Sequence, residues 1–131
     1  MIGLDTNVLV RYIAQDEHTQ SALAARLIDS FTAEAPGFVS TVTLVETVWV
    51  LTRAYKTAKA EILQVIEGLL RARELVIEDG ETHYLALNEF EATTVDYADA
   101  VIAHAGRRAG CEFTATFDRR AASSGMRLME T

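Results

Sequence analysis

Four acidic residues have the types and positions to do chemistry: Asp5, Glu46, Asp99 and Asp118. Asp5 follows the apolar run at Ile2 and Leu4, which reads as one buried strand. Val8, Leu9, Tyr12 and Ile13 then recur at the three-to-four spacing of an amphipathic helix. That places Asp5 where a first strand ends and a first helix begins, which in an open parallel sheet is the crevice side. Glu46 is the one charged residue between Ala35 and Thr52, flanked at helical spacing by Val42, Thr43, Trp49 and Val50. A lone carboxylate there needs a cation or a partner; an exposed strip or a distant arginine are the other readings. Asp96 suits a helix N-cap, and Asp99 falls in the first turn, where negative charge is favourable. Ala98, Ala100, Ile102 and Ala103 surround Asp99 with small or apolar side chains, so Asp99 is expected to face the site and Asp96 to cap or to support it. Asp118 closes the alternation Phe113, Ala115, Phe117 as Asp5 closes the first strand.

Four carboxylates within several ångströms raise one another's pKa, and a divalent cation removes the conflict. Ligation by oxygen alone, without histidine or cysteine, selects a hard ion, Mg²⁺ or Mn²⁺. The chemistry such a site supports is phosphodiester hydrolysis, in which a bound water loses its proton near neutral pH. Asn7 and Thr116, close in sequence to two of the acids, could orient a carboxylate, the water or a phosphate oxygen. Arg119 and Arg120 could reach backbone phosphates or be exposed salt-bridged cations.

The elements that must position these acids follow in order. Asp16 to Thr19 can open a second helix, with an apolar stripe of Ala22, Leu23, Leu27, Ile28 and Phe31. Phe38 to Ser40 is a short strand, and Ser40 or Thr41 caps the next helix, about Thr43 to Tyr55. That helix is apolar nearly all round, which predicts burial within the domain or against a second subunit. A helix over Lys59 to Arg73, a strand at Leu75 to Ile77 and a helix over Thr82 to Phe90 come next. After Asp99 and its helix come the strand ending at Asp118, a helical turn from Ala121 to Gly125 and a closing strand at Met126 to Met129. Such alternation predicts an α/β class chain, a three-layer α/β/α sandwich with a mostly parallel central sheet.

Composition bounds the rest. A chain of 131 residues, half of them hydrophobic and with a single proline, is expected to form one domain, residues 1–131. The single cysteine, Cys111, allows no internal disulfide and no thiolate metal site. His18, His83 and His104 are each alone at metal-ligand spacing and read as structural or surface residues. A strand at the first residues leaves no room for a signal peptide, and no apolar run approaches the ~20 residues of a membrane span. A cytoplasmic, soluble protein is expected. The net charge of −7 excludes phosphate binding by bulk positive charge. Either there is no polyanionic partner, or part of the acidity is clustered around cations that bridge to phosphate. Glu78, Asp79, Glu81, Glu89 and Glu91 read as solvated surface.

With these residues in hand, the chain resembles PIN-domain proteins, specifically VapC-type ribonuclease toxins of prokaryotic toxin–antitoxin pairs. The resemblance rests on IGLDTNVLVRYI, TLVETVWVL, DYADAVIAHA and ATFDRRAA, and so runs nearly end to end. It implies an acidic quartet at Asp5, Glu46, Asp99 and Asp118, with polar supporting positions at Asn7 and Thr116. It further implies Mg²⁺- or Mn²⁺-dependent endonucleolytic cleavage of RNA leaving a 5′-phosphate, a homodimer, and inhibition by a small antitoxin that inserts a basic segment at the acidic site. Asp96 is an extra acid with no matching position. A competing reading is a catalytically silent module of the same fold that acts through its antitoxin on DNA, though such a module has no need of a crowded acidic site. A receiver-type phosphotransfer domain would want paired acids after the first strand and a late lysine. Here the first acid is single and no lysine follows Lys59.

Overall fold

In the computed structural model, residues 1–123 and 125–130 are described. Backbone contacts divide them into two compact units, Met1–Gly80 and Glu81–Thr131.

The first unit is built on a parallel sheet of β1 (Ile2–Gly3), β2 (Gly37–Val39) and β3 (Leu75–Ile77), in that order. Each parallel crossover is a helix pair, α1 (Thr6–Ala14) with α2 (His18–Asp29), then α3 (Thr41–Arg53) with α4 (Lys59–Arg71). The helix starts follow from side-chain caps. Asp5 caps α1, Glu17 accepts from the amides of Thr19 and Gln20 to cap α2, and Ser40 accepts from Thr43 N at 3.1 Å to cap α3. At the start of β2 a glycine is required, because a Cβ at Gly37 would sit 2.4 Å from the Phe31 ring. Leu9, Val39, Leu44, Ile62 and Ile66 are buried, each worth about 1.5–3 kcal/mol relative to exposure.

Three expectations are displaced here. Leu4 is buried, but Ile2 is half exposed, because β1 is an edge strand of its three-stranded sheet. The inward stripe of α2 is Ser21, Ala24 and Ile28, with Phe31 following, while Ala22 and Leu23 face out. Helix α3 is amphipathic rather than buried all round: Thr43, Leu44, Thr47, Val48 and Leu51 are buried, and Val42, Glu46 and Trp49 are exposed. Its buried face carries the two threonines: Thr47 donates to the Thr43 carbonyl at 2.7 Å, and the Thr43 hydroxyl accepts from Ser40 Oγ at 3.1 Å and donates to the Leu4 carbonyl at 3.4 Å.

The second unit contains α5 (Gly80–Ala92, from the junction), α6 (Tyr97–Arg108), β4 (Ala115–Thr116), α7 (Arg119–Ala122) and β5 (Arg127–Leu128), with β4 and β5 parallel. The Tyr97 hydroxyl and His83 Nδ1 share a 2.6 Å hydrogen bond, so His83 is a core histidine as expected. His104 Nε2 lies 2.7 Å from Glu89, which is therefore part of a half-buried pair and not simply solvated surface. Helix α6 closes on Gly110, whose φ of +93° lets Cys111 N reach the Gly106 carbonyl while Gly110 N reaches that of Arg107. The strand expected over Phe113 to Phe117 is paired only at Ala115–Thr116, and its apolar residues are exposed, Phe117 by 86 %. Alternation separates the two faces of a strand without saying which one is covered. The expected turn from Ala121 to Gly125 includes Ser124, which lies outside the described residues; Gly125 has φ +95°.

The observed order of strands and helices is the expected alternation, and every paired strand is parallel. Among the described residues no helix is long and apolar enough to cross a membrane.

Candidate functional site

In the first unit, the turn from β1 into α1 places Asp5 with extended backbone, and its Oδ1 accepts from Thr6 N at 2.7 Å. This cap uses one of the two carboxylate oxygens. Thr6 is buried, and its hydroxyl donates a short hydrogen bond to Glu46 Oε1 on α3. One residue thus ties the two acids, its amide to Asp5 and its hydroxyl to Glu46, 40 positions further along the chain. Asp5, Thr6, Asn7, Arg11, Glu46 and Trp49 line a common cleft of about 470 Å³. Among the described residues Glu46 is not paired to an arginine: it is exposed, lines the cleft and is anchored through a hydroxyl.

Arg11 shapes the same wall and was not signalled by the motif. Its Nε donates to Gln20 at 2.8 Å and its Nη1 to the Tyr55 hydroxyl at 3.1 Å, with Asp16 at 3.5 Å. Tyr55 in turn donates to Asp16 at 2.7 Å, which holds the Asp16 carboxyl below its ordinary pKa. The guanidinium is thereby kept on the cleft without an ion pair to Asp5 or Glu46 among the described residues.

In the second unit, Asp118 follows two residues after β4, and its Oδ1 accepts from Arg120 N at 2.9 Å and caps α7. Thr116 Oγ1 accepts from Asp118 N at 3.0 Å, so Thr116 fixes the backbone that carries the acid. Asp96 holds the N-cap position of α6 but does not cap it with its side chain; its backbone carbonyl takes the bond from Ala100 N, and the carboxylate is left exposed. Asp99 is half-buried in the first turn, beside the buried Ala100 and Ala103. Burial raises its pKa above the ordinary value, and the charges of Asp96 and Asp118 raise it further. These three acids therefore act on one another within this unit. Arg119 and Arg120 are exposed.

Each unit thus brings part of the expected set together: Asp5, Glu46 and Asn7 in the first; Asp96, Asp99, Asp118 and Thr116 in the second. Among the described residues no three Asp, Glu, His or Cys side chains form a group that could hold a metal ion. The donors of both sets are oxygens.

A family model described as the PIN domain matches residues 2–124, a span that includes both sets of acids. This chain belongs to the PIN domain family. Among solved structures, the chain is similar to VapC20 of Mycobacterium tuberculosis, described as a Sarcin-Ricin loop cleaving toxin. It is 16 % identical, with each chain covered over 100 % and a TM-score of 0.47. Likeness at that level adds nothing to the family assignment. No curated protein matches the chain.

The raised pKa of Asp99 in this PIN-domain chain has a stability consequence. Below the ordinary Asp value near 3.8 the carboxyl is protonated in both the folded and unfolded states and opposes nothing. As pH rises through the interval up to the raised folded-state value, ionisation favours the unfolded chain, so the folded state loses stability. Asp99→Asn, in chelator-treated protein, should therefore melt above wild type at pH 7, with the difference closing toward pH 3. Thermal melts across that range measure it, and a pH-independent difference would refute the assigned cause.

Proposed function

We propose that this PIN-domain chain is a metal-dependent endoribonuclease of the VapC type, the toxin of a type II toxin–antitoxin pair. The observation that carries the reading is Thr6 joining Asp5 to Glu46 in one cleft. A fold gains little from holding two carboxylates beside each other at a solvent-open wall, whereas a cation site needs that arrangement. Mutual repulsion of Asp96, Asp99 and Asp118 supports it in the same way, because a raised carboxyl pKa without a cation is what a metal would reverse.

Asp5, Glu46, Asp99 and Asp118 are the residues that would hold Mg²⁺ or Mn²⁺; an all-oxygen donor set fits a hard ion. When bound, such an ion supplies a water of lowered pKa and neutralises charge on the scissile phosphate. Asp5 and Glu46 are held in place by Thr6, and Asp118 by Thr116 and the amide of Arg120. Asn7 presents a neutral amide on the cleft for a water or a phosphate oxygen. Arg119 offers a guanidinium to the RNA backbone. The product is an RNA 5′-phosphate, and the partners are a cognate antitoxin with a basic segment, steered by the acidic chain, and a second copy of this chain.

Purified protein incubated with single-stranded RNA in Mg²⁺ or Mn²⁺ should generate internal cuts with 5′-phosphate ends, mapped by ligation and sequencing. EDTA should abolish them, and Ca²⁺ should not restore them. Cleavage that persists in EDTA would overturn the mechanism.

A further inference from the structure

Phe117 lies between two residues of the site and is 86 % exposed, the barest large apolar side chain among the described residues. Its backbone is not loose. Thr116 Oγ1 accepts from Asp118 N on one side, and Asp118 accepts from Arg120 N on the other. These interlocked bonds hold the peptide on either side of Phe117 while its ring has no covering group. Phe113, four residues earlier on the same segment, shows how this chain ordinarily shields such a ring: the Arg127 guanidinium lies 3.8 Å from its centroid. Arg119 and Arg120, which follow Asp118, are exposed and make no ion pair among the described residues. A bare aromatic, a metal-type acid and two unpaired guanidiniums thus occur in four consecutive residues.

We propose that Phe117 is a stacking platform for an unpaired RNA base beside the scissile phosphate, with Arg119 and Arg120 on the adjoining backbone. The inference rests on the ribonuclease reading and adds to it the side chain that holds a base beside the site. Every base has a π-face, so an aromatic ring binds single strands with little dependence on sequence, and arginines track the phosphates. A base within a duplex is not available to such a ring, whereas one in a loop or an unpaired strand is.

Steady-state cleavage of a random-sequence single-stranded RNA pool in Mg²⁺ tests this, with the cut positions sequenced. Phe117→Ala should raise KM roughly 5- to 150-fold, the effect of losing one stacked base, and should change kcat less. Phe117→Trp should stay near wild type, and Phe117→Leu should behave like Phe117→Ala because it keeps apolar area without a ring. Because the ring is bare, all three variants should melt at the wild-type temperature; a large fall for Phe117→Ala would make the residue structural and overturn the proposal. Wild-type KM and an unchanged cleavage map for Phe117→Ala would overturn stacking and leave the ribonuclease reading intact. If folded wild-type protein cuts no single-stranded RNA, both fall.

Discussion

Replacing Asp5 with Asn should lower RNA cleavage on the order of 10³-fold or more and leave the protein folded. The substitution separates two roles that one carboxylate holds. As N-cap of α1, Asp5 accepts from Thr6 N at 2.7 Å, and Asn caps about as well as Asp. As a cation ligand it contributes a negative oxygen that Asn lacks. Asp5→Ala would lose both roles, with about 1 kcal/mol of cap stability added to the loss of activity. The measurement is single-turnover cleavage beside urea denaturation for wild type, Asp5→Asn and Asp5→Ala. Wild-type cleavage by Asp5→Asn would remove Asp5 from the chemistry. Growth arrest that survives Asp5→Asn, without cleavage, would instead favour the catalytically silent module acting through its antitoxin.

How far the sequence could be read depended on the range of the interaction. Asp5 was legible because its signal is local: an apolar pair before it, helical spacing after it, and a cap that the next amide completes. Ser40 as cap of α3 and the strand at Leu75–Ile77 were legible for the same reason. Glu46 stood out as the lone charge in an apolar stretch, and its surroundings differ from those the stretch suggested. The stretch is a one-sided helix, and its open side carries Val42 and Trp49 beside Glu46. Composition around a helix reports how apolar the faces are, not whether another element covers them.

What escaped the sequence is what depends on distant pairing. Arg11 is held by Gln20, Tyr55 and Asp16, and its partner Tyr55 lies 44 positions away. Phe117 continued a strand alternation whose covered face no local rule decides, and it is the most exposed aromatic of that segment. Asp96 satisfied every local criterion for a capping side chain, yet its backbone carbonyl takes the helical bond and its carboxylate stays out. In each case a residue type was compatible with several environments, and tertiary structure chose among them.

Thr6 is the sharpest case, and it carries the second large prediction. By type it reads as a small polar residue in a first helical turn, and nothing local distinguishes it from Thr19. In the fold its buried hydroxyl donates to Glu46 while its amide serves Asp5. Thr6→Val keeps the shape and the amide but removes the donor to Glu46. Glu46 is exposed and gains water in exchange, so the stability change should be small, about 1 kcal/mol. Activity should fall further, roughly 10- to 100-fold, as when a hydrogen-bonding partner of a metal ligand is lost. The loss should appear as a higher Mg²⁺ concentration for half-maximal cleavage, because the ligand is loosened rather than removed. Thr6→Ser restores the hydroxyl and should recover most of the activity. Equal metal dependence in Thr6→Val and wild type would mean that Glu46 needs no anchoring, and an impaired Thr6→Ser beside an active Thr6→Val would point to packing of the threonine methyl.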